Sequence, residues 1–407
     1  MRVLIVGSGG REHALAWKLA RSPRLEALHT APGNPGIARI GQCHPVRAAD
    51  AEGLLALCRE LEVDLVVVGP EAPLVAGLAD TLRHAGVAVF GPSRAAARIE
   101  GSKAFAMDVL EAAGVPTAAR LALARPPCVV KADGLAAGKG VFVCRTEGEL
   151  ERGLRAAAAL GGELLIEELI EGEEISLFVL TDGYEAIPLA PAQDFKRVGD
   201  ADTGPNTGGM GAYSPVPGVG EPEVDELVDA VHRPVLAELA SRGTPFAGLL
   251  YAGLMLTDDG PRVLEFNCRF GDPETQSILP RLEGDLLEAL AGAAVGALQT
   301  DLSAGDNAAV TVVLAAGDYP EHGDSGTPIE GVEDAEAAGA LVFHAGTARQ
   351  GDTLVTNGGR ILNVTATGDD LVSARAAAYE AVGRISFASM RFRQDIGLAA
   401  TEDRVRG

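Results

Sequence analysis

The segment Val129-Val130-Lys131-Ala132-Asp133-Gly134-Leu135-Ala136-Ala137-Gly138-Lys139-Gly140-Val141 joins two short apolar strands through a turn holding three glycines and two lysines. A nucleotide loop of the Walker type needs GxxxxGK followed by Ser or Thr and a helix. Here three residues separate Gly134 from Gly138, and a strand follows Gly140. The turn therefore reads as a flap between strands, whose backbone N–H groups can close over phosphates while Lys131 stands on the strand as the positive charge. An ordinary exposed hairpin leaves this concentration of glycine and lysine unexplained.

Upstream, the first hundred residues repeat one phrase: apolar strand, Gly/Pro turn, helix with Ala/Leu periodicity. Strands expected over residues 3–6, 25–30, 64–68 and 87–90 run into turns carrying Gly7-Ser8-Gly9-Gly10, Gly33-Asn34-Pro35-Gly36, Gly69-Pro70-Glu71 and Gly91-Pro92-Ser93. This predicts a parallel α/β domain over residues 1–100, with ligands at the carboxyl ends of the strands. Gly7-Ser8-Gly9-Gly10-Arg11-Glu12-His13 approaches a dinucleotide fingerprint, but Glu12 stands at the third glycine position. The second strand also ends without an acid, at Leu28-His29-Thr30-Ala31. A nicotinamide cofactor is disfavoured, while a helix N-terminus beside Arg11 can receive a substrate phosphate. A tight turn packing helix on strand accounts for this segment equally well.

Downstream the pattern changes to antiparallel hairpins, predicting a second unit over 101–298 with a small lid subdomain at about 117–185. The acidic run Glu167-Glu168-Leu169-Ile170-Glu171-Gly172-Glu173-Glu174 reads by itself as a solvated face. Beside a nucleotide flap, the backbone of 167–169 can meet adenine and Glu174 the ribose hydroxyls. Residues 194–217 lack periodicity and read as a long functional loop, in which Gly208-Gly209-Met210-Gly211 permits close approach to an anion. A hairpin over 249–257 and 262–267 leads into Leu264-Glu265-Phe266-Asn267-Cys268-Arg269-Phe270-Gly271-Asp272-Pro273-Glu274. Strand alternation sets Glu265, Asn267 and Arg269 on one face. Mg²⁺ takes few protein oxygens and shares nucleotide phosphates, which suits Glu265 and Asn267, and Arg269 can clamp a carboxylate or phosphate. A half-exposed hairpin with incidental polar residues is the alternative. Residues 299–407 predict an α+β closing domain.

Composition bounds the class. The 407 residues carry 34 Lys and Arg against 57 Asp and Glu, a net charge of −23 that excludes wholesale nucleic-acid binding. With 47% apolar and 22% charged residues the chain is globular. Five scattered cysteines without a CxxC pair point to small core residues in a reducing compartment. Seven histidines show no HExxH spacing and no Ser or Cys elbow, so zinc and triad hydrolysis have no support. With no leader pattern and no apolar stretch of membrane length, a soluble cytoplasmic protein without membrane contact is expected.

Five colinear segments carry a resemblance that covers essentially the whole chain: residues 6–13, Val68-Gly69-Pro70-Glu71-Ala72-Pro73-Leu74, residues 131–141, residues 204–215, and Arg269-Phe270-Gly271-Asp272-Pro273-Glu274-Thr275-Gln276. They are similar to the phosphoribosylamine–glycine ligase (glycinamide ribonucleotide synthetase) family of the ATP-grasp superfamily. The resemblance implies an N-terminal parallel α/β domain, an ATP-grasp domain of two subdomains and a C-terminal α+β domain. It also implies ligation of glycine to 5-phosphoribosylamine through glycyl phosphate, releasing ADP and phosphate, in de novo purine biosynthesis. ATP is then the co-substrate with Mg²⁺ or Mn²⁺, the partners are small molecules, and a monomer is expected.

By the same resemblance, Lys103 and Lys131 match the lysines on the nucleotide phosphates, with Gly134, Gly138, Lys139 and Gly140 closing over them. Glu167 and Leu169 match the adenine hinge, Glu174 the ribose ligand, and Glu265 and Asn267 the metal ligands. Arg269, with Lys131, is expected at the carboxylate or transferring phosphoryl group, and Asp194 and Asp272 at the amine. Gly9, Gly10, Arg11, Glu71, Gly208, Gly209 and Met210 are expected at substrate. Another ATP-grasp ligase or carboxylase need not carry residues 269–276 or 204–213, whereas a non-catalytic relative would lack the lysines or metal ligands. Two departures stand out: residues 116–131 look about one helix short, and Ala252-Gly253-Leu254 offers no third metal-ligating acid.

Overall fold

The structure, a computed structural model, describes residues 1–136 and 138–402, so residues 403–407 of the expected closing domain lie outside it. The four expected apolar runs of the first hundred residues become buried parallel strands, Arg2–Gly7, Ala27–Pro32, Leu65–Val68 and Ala88–Phe90. A two-residue edge strand that was not expected, Gln42–Cys43, third in chain order and neither apolar nor buried, joins them. They pair in the order third, second, first, fourth, fifth. The order reverses beside Arg2–Gly7, and open α/β sheets hold ligands at such a reversal. Here Glu12 fills the part of that crevice beside Gly9 and Gly69, while Arg11 and Glu71 at its rim face open space. A Cβ on Gly69 would lie 2.1 Å from Glu12 Oε1, and Glu12 Oε2 accepts the Gly9 N–H at 2.5 Å.

The middle of the chain builds two antiparallel sheets. Cys128–Ala132, Val141–Cys144 and Leu164–Glu168 form the first, covered by the helix Glu147–Leu160, with a small core of their own around Val130 and Leu150. Glu173–Thr181 joins the second sheet, with Ala186–Pro188, Gly248–Thr257 and Gly260–Asn267. Glu171-Gly172-Glu173 is thus a crossing between sheets and not a hairpin, and the first sheet ends at Glu168, short of the expected residue 185. Among the described residues no helix lies between Ala113 and Cys128.

Residues 194–217, expected to be irregular, overlap four short strands: Gln193–Asp194, Arg197–Gly199, Thr203–Asn206 and Gly211–Ser214. Strands of two to four residues are too short to register a two-residue period. Arg197–Gly199 and Thr203–Asn206 pair with each other as a local hairpin, whereas Gln193–Asp194 and Gly211–Ser214 are ordered by pairing far along the chain, Gly211–Ser214 lying antiparallel to Ala308–Ala315. The closing sheet therefore runs Gln193–Asp194, Gly211–Ser214, Ala308–Ala315, Arg360–Gly368, Leu341–His344, and borrows two strands from the middle of the sequence. The helix Leu371–Val382 packs its alanine face on it. The class is the expected one, parallel α/β followed by mixed α and β units. The described helices include none long and apolar enough to cross a membrane. All five cysteines are free; four are buried and Cys43 is half-buried.

Candidate active site

A cleft with two lobes runs between the three regions. Its smaller lobe, about 330 Å³, and its larger one, about 790 Å³, share Lys131, Gly138, Glu167, Asp194, Lys196 and Glu265. Arg11, Glu71, Lys103, Arg269 and Asp272 face the smaller lobe alone, and Leu169 and Glu174 the larger alone.

Two lysines converge beneath the flap from different elements. Lys103 begins the helix Lys103–Ala113, whose N-cap Ser102 accepts the Phe105 N–H at 3.2 Å. Its Nζ donates to the carbonyls of Ala132 and Gly134 at 2.8 and 2.9 Å, and burial lowers its pKa. Lys131 Nζ lies 2.5 Å from Glu167 Oε2 and donates to Leu264 O at 3.0 Å. Gly134, Gly138 and Gly140 line the smaller lobe. Lys139, expected at the phosphates, turns away, because its Nζ donates to Pro320 O at 2.8 Å.

Across the cleft, Glu265 and Asn267 project from the strand Gly260–Asn267. Glu265 makes no side-chain hydrogen bond or ion pair among the described residues, and Asn267 Oδ1 accepts from Arg269 Nη2 at 3.1 Å. No cluster of three acidic, His or Cys side chains is assembled among the described residues. Two protein oxygens facing a phosphate-sized space fit Mg²⁺, which completes its shell on phosphates and water.

Arg269 is already occupied. Its Nε lies 3.2 Å from Glu71, its Nη2 lies 3.3 Å from Glu100, and its Nη1 donates to Phe270 O at 3.2 Å. A free clamp was expected, but each guanidinium nitrogen already has a partner. Burial opposes the guanidinium charge, yet Glu100 and Glu71 outweigh it and raise its pKa. The two acids diverge. Burial pushes the Glu100 carboxyl up despite Arg269, whereas at Glu71 burial is outweighed by Arg269 and Arg11 and the pKa falls. Asp194, buried 3.2 Å from Lys196, is pushed up to about 6 by burial. Lys196 also pairs with Glu174 and so bridges the expected ribose ligand and the expected amine ligand.

The remaining expected substrate residues divide. Arg11 lines the smaller lobe, with its Nε 2.6 Å from Glu12 Oε1. Asp272 pairs with Arg360 at 3.0 Å and accepts from Gln276 at 2.7 Å. Gly208 reaches the cleft, but Gly9, Gly10, Gly209 and Met210 line neither lobe. The Gly9 N–H is spent on Glu12, a Cβ on Gly10 would lie 2.2 Å from Asn363 Nδ2, and a Cβ on Gly209 would lie 2.3 Å from Pro273 Cδ. Met210 is fully buried in an apolar cluster with Val198 and Ala315.

Sequence reasoning missed Glu100, Lys196 and Arg360. Glu100 is a single acid at a helix end, Lys196 one of three charges in Asp194-Phe195-Lys196-Arg197 of a polar loop, and Arg360 a single base after a Gly-Gly turn, so no local pattern assigns any of them a role. Only the Gly-Gly before Arg360 hinted at a backbone close to something.

Three family descriptions match along the chain. They are the phosphoribosylglycinamide synthetase N domain over residues 1–100, its ATP-grasp (A) domain over 101–275 and its C domain over 309–399. The phosphoribosylamine–glycine ligase of Streptomyces coelicolor is 52% identical over 98% of this chain and 99% of its own length. That of Mesorhizobium japonicum is 50% identical over 98% of each. Among solved structures, the phosphoribosylamine–glycine ligase of Thermotoga maritima matches with a TM-score of 0.84 at 34% identity, over 97% of this chain and 100% of that one. The biotin carboxylase domain of the Hydrogenobacter thermophilus 2-oxoglutarate carboxylase, in complex with the magnesium salt of ADP, shares the fold alone. Its TM-score is 0.70 at 18% identity, over 96% of this chain and 91% of that one.

Proposed function

The chain belongs to the phosphoribosylglycinamide synthetase family of ATP-grasp ligases, and from that premise we propose how its cleft joins glycine to 5-phosphoribosylamine. The enzyme is an ADP-forming ligase of purine biosynthesis, and its substrates are small molecules. The glycine carboxylate attacks the γ-phosphorus of ATP in line, giving glycyl phosphate and ADP. The amine of phosphoribosylamine then attacks the acyl carbon. Phosphate leaves, one amine proton is released, and glycinamide ribonucleotide forms.

Adenine lies in the larger lobe against the backbone of 167–169, with the ribose hydroxyls toward Glu174. Lys103 and Lys131 meet the phosphates beneath the flap, whose Gly134, Gly138 and Gly140 let its backbone approach closely. The two lysines rest on carbonyls and on Glu167, so they are in place before ATP arrives and little reorganisation accompanies charge transfer. Glu265 and Asn267 would hold Mg²⁺ or Mn²⁺, which when bound neutralises charge on the phosphates. Arg269 meets the glycine carboxylate or the transferring phosphoryl group by exchanging one of its acidic partners. Arg11, Glu71 and Gly208 face the ribosyl phosphate substrate, and Asp194 and Asp272 its amine.

The observation that supports this reading most is the position of Lys131 and Glu265, which line both lobes while a nucleotide-sized space opens on one side and an arginine-lined space on the other. The γ-phosphate then sits where the two substrates meet. The test is ADP release by purified protein with ATP, Mg²⁺, glycine and freshly made phosphoribosylamine. Release that requires both co-substrates supports the reading; release supported by bicarbonate and not by glycine assigns the cleft to a carboxylase instead.

A further inference from the structure

Arg360 opens the strand Arg360–Gly368 of the closing sheet, yet its guanidinium lines the smaller lobe of the cleft. Nη2 lies 3.0 Å from Asp272 Oδ2, and Nη1 donates to Asp272 O at 2.8 Å. Nη1 also reaches the carbonyl oxygens of Gly208, at 2.5 Å, and Gly209, at 3.4 Å. One side chain thus ties three segments distant in sequence: the closing strand, the turn after Arg269 and the glycine loop. Gly208 leaves it room, since a Cβ there would sit 3.3 Å from Arg360 Cζ. Two further contacts complete the frame. Asp272 Oδ1 accepts from Gln276 at 2.7 Å, and the Gly208 N–H donates to the Tyr319 hydroxyl, also from the closing region, at 3.0 Å.

Gly208, Asp272 and Arg360 line the lobe that holds Arg11 and Glu71, and none of the three lines the lobe that holds Leu169 and Glu174. A guanidinium fixes several oxygens at once by its planar fork. Lysine supplies the charge without the fork.

Building on the ligase reading above, we propose that Arg360 is a positioning residue for the amine-bearing substrate. It holds the Asp272 carboxylate and the Gly208 backbone where phosphoribosylamine docks, and ATP and glycine are bound by the rest of the cleft. Through Arg360 the closing domain thereby contributes to the second half of the reaction.

The test compares Arg360→Gln, Arg360→Lys and Gly208→Ala with the unaltered enzyme, reading ADP release against each substrate and ADP affinity by titration. In Arg360→Gln, kcat/KM for phosphoribosylamine falls about 100-fold, the scale of a misplaced substrate. KM for ATP and glycine and the affinity for ADP stay within about twofold, a split that a merely structural loss does not produce. Arg360→Lys recovers part of the loss. Gly208→Ala, which crowds the guanidinium at a residue that itself faces phosphoribosylamine, gives a selective loss to a smaller degree, and Arg360→Lys decides the matter if Arg360→Gln does not fold. Equal losses for all three substrates, or none, overturn the proposal. If the unaltered enzyme shows no phosphoribosylamine-dependent ADP release, the ligase reading fails. If it does and the variants match it, only the role of Arg360 fails.

Discussion

Two glycine-rich turns follow apolar strands in this chain, and the chain uses them in opposite ways. At Gly7-Ser8-Gly9-Gly10 the missing side chains make room for other parts of the protein. Glu12 fills part of the crevice of the parallel sheet, and a Cβ on Gly10 would meet Asn363 Nδ2 at 2.2 Å and Gln276 Nε2 at 2.7 Å. Behind this turn, His13 Nδ1 accepts the His344 N–H at 2.8 Å, and Asn34 Nδ2 donates to His344 O at 2.8 Å. The turn is a joint between the first and closing regions. At the flap, Gly134 has φ +98° and a Cβ there would meet nothing within 4 Å. A glycine turn is open to a phosphate only where its own chain has not already claimed the space and the N–H groups, and in the flap that condition holds at Gly134, whereas a Cβ on Gly138 would lie 2.8 Å from Thr207 O.

Substitutions on the two sides of this contrast have different signatures. The largest effect is expected opposite the flap: Glu265→Ala lowers kcat by about 10³-fold or more, because an oxygen that neutralises the phosphates through metal is lost. Its thermal midpoint stays within a few degrees of the wild type. A large drop in midpoint would place Glu265 in the framework instead. At the joint the pattern inverts. Gly10→Ala destabilises by about 2–4 kcal/mol through overpacking against Asn363, read from urea unfolding, with KM for ATP unchanged in the folded fraction.

Acid sharpens the same contrast. Burial holds His344 near about 4, against 6.5 for the free side chain. Between those values the unfolded chain binds the proton and the folded one does not. Stability is therefore full above about pH 6.5 and falls as the pH drops toward about 4, by on the order of 3 kcal/mol from this site. Replacement by Asn, which does not titrate, makes the decline shallower. Equal slopes in the two proteins would contradict the assignment. The smallest effect is expected at Gly134→Ala. An alanine at φ +98° costs about 1–2 kcal/mol in a flap with few contacts, so KM for ATP rises severalfold while the unfolding midpoint barely moves.

What could be read from the sequence follows the same division between local and distant contacts. Four of the five parallel strands were legible because each is an apolar run ended by Gly or Pro, whereas Gln42–Cys43 is too short to register, and the flap was legible because its glycines and lysines sit between two apolar runs. Glu265 and Asn267 followed from strand alternation. Residues 193–214 were not legible, since Gln193–Asp194 and Gly211–Ser214 are ordered by Ala308–Ala315, about a hundred residues away, and the hairpin between them has strands of three and four residues interrupted by a register shift. The same holds for Glu100 and Arg360, which acquire a role only when folding brings them to Arg269 and Asp272. For a related reason, Gly9, Gly10, Lys139, Gly209 and Met210 do not line the cleft. A motif gives residue type and spacing, but it does not tell which N–H is already bonded, which side chain turns toward Pro320, or which thioether completes a core.

The most direct measurement follows oxygen. Glycine labelled with ¹⁸O in its carboxylate is turned over with ATP, Mg²⁺ and phosphoribosylamine, and the released phosphate is weighed by mass spectrometry. Attack of the carboxylate on the γ-phosphorus predicts one labelled oxygen in each phosphate formed. Phosphate released without label, while glycinamide ribonucleotide accumulates, would contradict a glycyl phosphate route through this cleft.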